Sequence, residues 1–183
     1  ITTDGRTAVT LKADATFTGT QIIECGEEAG VQYTQGFKLS GIDFDCSSLD
    51  IAGFGFYGLR DGCQFENIKV YDSLGTHIKS NYNTLTMNQG VILTNVHAIS
   101  VGGITVTGSL WELNGLFECN LYGCKALSPA LGTAIGFDIG STREVRGLTM
   151  IGCSAANQRG VGSIGLKYGA NAKNCRDFNT TFE

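Results

Sequence analysis

A three-position pattern of the form apolar-x-x-apolar-x-apolar recurs along most of this chain. Leu39, Ile42 and Phe44 are followed by Phe65, Ile68 and Val70, then by Leu93, Val96 and Ala98, by Leu116, Cys119 and Leu121, and by Val145, Leu148 and Met150. The middle members stand 26, 28, 23 and 29 residues apart, and a weaker copy at Ala172 and Cys175 comes 27 residues later. Around each middle member the residues alternate, as in Ile42-Asp43-Phe44, Ile68-Lys69-Val70 and Val96-His97-Ala98. A period of two is that of a strand with one buried and one polar face, so Asp43, Lys69, His97, Asn120 and Thr149 are expected in one outward row. One short strand rewritten about every 27 residues predicts a stack of coils.

The residue before each middle member reads Gly41, Asn67, Asn95, Glu118, Gly147, Asn174. Gly and Asn are the residues of tight bends, and stacked asparagines can hydrogen-bond along the coil axis. Between the anchors lie further β-type segments at Phe54 to Phe56, Ile104 to Val106, Ile135 to Ile139 and Ile164 to Tyr168, each bounded by Gly. Two or more short strands per turn give an all-β fold, a right-handed parallel β-helix of about 5–6 coils. A leucine-rich repeat is the runner-up, because its L-x-x-L-x-L spacing fits and Cys124 and Cys153 fall in its Asn/Cys slot. Against it, the coils are rich in Gly and lack an amphipathic helical half. Residues 1–35 are less regular, with Val9, Leu11, Phe17, Ile22 and Ile23 as strand positions. They read as an irregular first coil or an amino-terminal cap, and residues 36–183 as the β-helix, a piece of a longer chain.

Composition narrows the classes. The 26 glycines against one proline, with charged residues at only 16%, describe a turn-rich globular domain rather than a helical bundle. A net charge of −4 disfavours nucleic acid, whose phosphates require clustered Lys and Arg. No apolar run approaches the length of a membrane span, and no membrane insertion is expected. Seven cysteines, an odd number with no close pairs, fit neither a complete disulfide framework nor a zinc ribbon. They are expected to be buried structural thiols, with Cys119 and Cys175 in the Ile42 position. No metal or cofactor is expected.

Segments such as Gly62-Cys-Gln-Phe-Glu-Asn-Ile-Lys-Val and Gly90-Val-Ile-Leu-Thr-Asn-Val-His-Ala resemble the coils of the pectin-lyase-like right-handed β-helix superfamily. With the Gly-rich style and free cysteines, the chain is most similar to the shaft of a bacteriophage tailspike or receptor-binding protein, over roughly residues 36 to 178. The resemblance implies a homotrimer on a virion tail, made in the host cytoplasm and acting outside the cell. It implies a bacterial surface polysaccharide, capsule or O-antigen, as partner. It carries no catalytic signature.

Carboxylates are the candidate chemistry. Coils stack at about 4.8 Å, so acids one coil apart can approach the roughly 5–9.5 Å used in glycoside hydrolysis. Glu112 and Asp138, Glu118 and Glu144, and Asp45 and Asp72 are 26 or 27 apart, yet each pair is out of step by a residue or more when measured from its own anchors. Glu112, Glu118 and Asp138 are the candidates for acid and base or nucleophile. Trp111 and Tyr122 are candidate sugar platforms, and Arg143 would orient a charged group. For β-elimination from a uronic acid, His97 and Lys69 are the candidate bases. Alternatively, the segment binds a receptor or serves as structure without catalysis. His77 and His97 are expected as outward polar residues. Two G-x-G-x-x-G matches, Gly53 to Gly58 and Gly160 to Gly165, read as turns because neither opens a helix. Phe137-Asp-Ile-Gly-Ser-Thr142 resembles the first phosphate loop of the sugar-kinase and actin-type ATPases, but only 41 residues follow it.

Overall fold

The computed structural model describes residues 9–26, 33–81, 87–100, 105–106, 108–128, 134–156 and 162–182. Among them there are strands and no helix, which leaves no place for the helical half of a leucine-rich repeat. All pairings are parallel, and they build sheets of eleven, six and four strands. The result is a β-solenoid of about 5 turns spaced roughly 28 residues apart. The segments expected at Ile135–Ile139 and Ile164–Tyr168 are strands over those residues, and Phe54 to Phe56 lies inside Ala52–Tyr57. Ile104 and Gly160 lie outside the described residues.

The register corrects the repeat. Val70 stands opposite Ala98, Ala98 opposite Ala126, Ala126 opposite Ala155, and Ala155 opposite Phe182, so one column runs Phe44, Val70, Ala98, Ala126, Ala155, Phe182. Leu93 pairs with Leu121, and Leu121 with Met150. The copies equivalent to Leu93, Val96, Ala98 are therefore Leu121, Cys124, Ala126 and Met150, Cys153, Ala155. The triplets starting at Leu116 and Val145 begin five residues earlier in the turn, with their first members in the separate four-stranded sheet formed by Asn88–Gln89, Leu116–Phe117, Val145–Arg146 and Ala172–Lys173. The outward row continues Asp43, Lys69, His97 into Lys125 and Ser154, while Asn120 and Thr149 belong to another row with Ile92 and Arg176. The cysteines shift with it. Cys124 and Cys153 hold the Ile68 and Val96 position, and Cys119 and Cys175 line up with Val91 and Leu148. All seven are free thiols, and burial pushes those of Cys25 and Cys46 up to about 12.

Two corner columns turn the chain. One is Gly62, Gly90, Glu118, Gly147, Asn174, with φ of 83°, 65°, 52°, 71° and 53°. The other, five residues on, is Gly41, Asn67, Asn95, Gly123, Gly152, Asn179, with φ of 73°, 54°, 53°, 61°, 62° and 51°. Left-handed backbone suits Gly and is tolerated by Asn, which accounts for the composition of both columns. N–H groups at the corners reach the next turn: Glu118 N–H donates to the Arg146 carbonyl at 2.9 Å, and Gly123 N–H to that of Ile151 at 2.9 Å. The asparagines also bond along the axis, with Asn95 Nδ2 donating to Asn67 Oδ1 at 2.8 Å.

The described part of the first 35 residues joins the stack: Val9–Lys12 pairs with Ile42–Asp45, and Gln21–Gly26 with Ala52–Tyr57. Inside, rings stack both across and along the sheets. Phe54 lies 5.1 Å from Phe65 of another sheet with planes 25° apart, and Trp111 lies 5.4 Å from Phe137, its partner on the neighbouring strand, at 26°. Gly53 and Gly136 admit this packing, since a Cβ on Gly53 would strike Val70 and one on Gly136 would strike Ala155 and the Gly165 carbonyl.

His77 departs from expectation by facing inward, with no exposed surface. Its Nε2 lies 3.2 Å from the Ile99 carbonyl, to which the Nε2–H tautomer donates. Burial pushes its pKa down to about 4, against smaller upward pulls from the backbone at Gly75 and Ile99.

Two outcomes follow. Phe54→Ala removes a fully buried ring and is expected to cost about 3–5 kcal/mol, whereas Ile151→Ala on the surface changes stability by about 0.5 kcal/mol or less, both read from urea midpoints. As pH falls from about 6.5 to about 4, the unfolded chain binds a proton that folded His77 refuses, so stability drops by about 3 kcal/mol from this residue. His77→Gln is expected to remove that part of the slope.

Candidate functional site

The sequence candidates fall on separate faces. Trp111 belongs to Ser109–Leu113 and is fully buried, and its Nε1–H donates to the Lys125 carbonyl at 3.0 Å. Its ring lies against Phe137 in the core and offers no surface to a sugar, which corrects the expected platform. Leu110 beside it is also fully buried, so the strict in-out alternation fails within this strand.

Glu112 and Asp138 stand directly opposite each other on neighbouring strands, in step rather than out of it. They occupy the middle of an outward row that reads Lys79, Glu112, Asp138, Lys167. Asp138 is nearly buried and well held: Ser141 Oγ donates to it, Ser109 Oγ lies 3.4 Å away, and Lys167 Nζ pairs with it at 3.3 Å. Glu112 accepts from Asn114 Nδ2 at 3.2 Å and from Thr76 Oγ1 at 3.5 Å. Buried Asn114 also receives the backbone N–H groups of Thr142 and Arg143, both at 3.0 Å. One amide thereby steadies Glu112 and the loop that brings Ser141 to Asp138. The phosphate-loop resemblance resolves into this arrangement, a solenoid corner after Ile135–Ile139. Arg143 is exposed beside it. A shallow hollow of ≈ 140 Å³ on this face is lined by Asp50, Thr76, Lys79 and Glu112, among others, and Asp50 had no signal in the sequence.

The other two acid pairs remain out of step. Asp45 faces Tyr71 rather than Asp72, and Glu118 shares its corner column with Gly147 rather than Glu144. Lys69 and His97 are in register, neighbours in the outward row as expected.

Glu118 lies on a different face, at the corner between the four-stranded sheet and the strand Asn120–Tyr122. A groove of ≈ 340 Å³ runs along this corner, lined by Phe117, Glu118, Arg146, Gly147, Thr149, Asn174 and Arg176. Phe117 and Arg146 also wall a smaller adjoining pocket of ≈ 80 Å³ with Met87, Leu116 and Glu144. Arg146 pairs with Glu144 at 2.6 Å, and Lys173 joins them at 3.3 Å; Arg146 first and Lys173 second hold the Glu144 carboxyl below its usual range. Arg176 and Glu118 have no ion pair among the described residues.

Beside the groove, Tyr122, Ile151 and Phe178 stand opposite one another on three successive turns, 36%, 37% and 50% exposed. Tyr122 is thus exposed at the surface. Ile151 and Phe178 follow two residues after Thr149 and Arg176, on the same face of their strands. Each of Tyr122, Ile151 and Phe178 stands three residues after Cys119, Leu148 or Cys175, so their alignment is present in the spacing, while their exposure is not.

Glu118 is the one residue of its corner column, among Gly62, Gly90, Gly147 and Asn174, that is neither Gly nor Asn, yet its φ is 52°. A Glu in the left-handed region stores strain, and such strain concentrates at functional sites. Among the described residues, no three His, Cys, Asp or Glu side chains are grouped to hold a metal ion. No protein-family model matches the chain, nor does any curated protein or solved structure.

Glu118→Gly removes the strain and is expected to raise stability by roughly 0.5–1 kcal/mol in urea unfolding, while emptying one wall of the groove. A fall in stability would mean that the contacts of the Glu118 side chain outweigh its backbone strain.

Proposed function

We propose that this solenoid binds a bacterial surface polysaccharide along the Glu118 groove, as a tailspike-like β-helix on a phage tail, working as a homotrimer. The observation that carries the reading is the groove itself. The Glu118 carboxylate and the Arg176 guanidinium, neither ion-paired among the described residues, line one cleft with Thr149 and Asn174, and the Tyr122–Ile151–Phe178 stripe flanks it. Sugars are bound in this way, with polar groups meeting hydroxyls and apolar surface lying against ring faces. The strained corner conformation of Glu118 adds support, since stability alone favours Gly or Asn there.

Cleavage by hydrolysis is a second reading, favoured by one observation: Glu112 and Asp138 are directly opposed on adjacent strands. The strand spacing of about 4.8 Å is close to the separation used by retaining glycosidases. Lys167 and the hydroxyls of Ser141 and Ser109 fix the position of the Asp138 carboxyl for the nucleophile's part, and Glu112 would take the part of acid and base.

Purified capsular and O-antigen polysaccharides test both readings, with binding followed by calorimetry and product release by reducing-end assay. The expected result is binding to at least one polysaccharide that is lost in Thr149→Trp, which fills the groove. Binding that survives Thr149→Trp, or no binding across the panel, overturns the groove reading. Product release abolished by Glu112→Gln and Asp138→Asn supports hydrolysis, and intact polysaccharide after prolonged incubation removes it.

A further inference from the structure

We infer that the Glu118 groove selects a sugar unit carrying both a carboxylate and a methyl-bearing substituent, such as an N-acetyl group or a 6-deoxy carbon. The inference rests on the groove being the polysaccharide site, and names which polysaccharide it takes.

The charge is arranged in one direction. Arg146 is occupied by Glu144 and lies 5.8 Å over the Phe117 ring. Arg176, exposed and without an ion-pair partner among the described residues, is the guanidinium open to a ligand. A guanidinium matches the planar fork of a carboxylate with two parallel hydrogen bonds. Glu118, on the wall formed by the preceding turns, repels an anion and accepts from sugar hydroxyls. A carboxylated unit is therefore drawn to the Arg176 end and turned away from the Glu118 end, which fixes its orientation as well as its identity. The surroundings agree: Arg146, Arg176 and Lys173 outnumber Glu118 and Glu144 here, in a chain whose net charge is −4.

The second half of the ligand is read from the adjoining pocket. Its ≈ 80 Å³ is lined by Met87, Leu116 and Phe117, with the Glu144–Arg146 pair at its side. It shares Phe117 and Arg146 with the groove, so one sugar residue can reach both. A space of this size and character accepts a methyl or acetyl group and excludes another ring. Hydroxyls would leave it with unpaired polar atoms, so a sugar bearing only hydroxyls gains nothing there.

The test uses a polysaccharide that binds the protein, its carboxyl-reduced derivative, in which each carboxylate becomes a primary alcohol, and its de-N-acetylated derivative where it carries N-acetyl groups. Carboxyl reduction is expected to weaken binding about tenfold or more in the wild type and to have little effect in Arg176→Gln, which binds the native polymer correspondingly weakly. Met87→Trp, which fills the small pocket, is expected to weaken binding of the acetylated or 6-deoxy polymer and to spare the de-N-acetylated one. Circular dichroism and thermal unfolding establish that each variant is folded. Equal affinity for native and reduced polymer, an unchanged Arg176→Gln, or a neutral hydroxyl-only polymer as the best ligand overturns the inference. If binding is also insensitive to Thr149→Trp, it is the groove reading that has failed.

Discussion

Parallel strand pairing governs this molecule. A parallel strand cannot be closed by a hairpin; its partner arrives only after the chain has travelled a full circuit. Each circuit must therefore return with its apolar positions directly over the last, and it does so by bending at left-handed corners that are themselves stacked. The corners at Glu118 and Gly123 are five residues apart, and the same interval recurs at Gly147 and Gly152. With corner positions and facet lengths held constant, the apolar columns align without further instruction. Variation in circuit length is taken up between the facets: Phe44 to Val70 is 26 residues, while Ala126 to Ala155 is 29.

The regularity that makes the fold readable also explains the misreading. Leu116, Cys119, Leu121, Cys124 and Ala126 are spaced so that an apolar-x-x-apolar-x-apolar template fits them twice, five residues apart, with a left-handed residue inside each fit. Sequence spacing does not distinguish the two. The interval of 23 between Val96 and Cys119 was the one visible sign, being five short of the true 28 to Cys124. That slip left the architecture intact but moved Asn120 and Thr149 into the row of Asp43, Lys69 and His97. Glu112 and Asp138 looked out of step for a different reason: they are 26 residues apart, whereas the anchors after them, Cys119 and Leu148, are 29 apart. Trp111 and His77 were misplaced for another reason. Within the strand Ser109–Leu113 the neighbours Leu110 and Trp111 are both fully buried, and period-two logic fails.

Glu118 was legible because a corner column tolerates so little. In positions reserved for Gly and Asn by backbone sterics, a carboxylate stands out without knowledge of any neighbour. Arg176 and the small pocket were not legible, since they depend on which turns lie side by side. The contrast between the two acid faces has the same origin. Asp138 is held by Lys167 and Ser141, in a row whose two acids are flanked by lysines, whereas Glu118 sits where the backbone bends.

The stacked corner bonds also have a mechanical meaning. In this architecture the hydrogen bonds point along the long axis and the covalent chain runs around it. Tension applied between the ends therefore meets no continuous covalent path until a turn has peeled away. Such a rod resists bending and compression through its packed rings, but under axial pull it yields turn by turn. Each turn of roughly 28 residues would release about 90–100 Å of chain on leaving the stack.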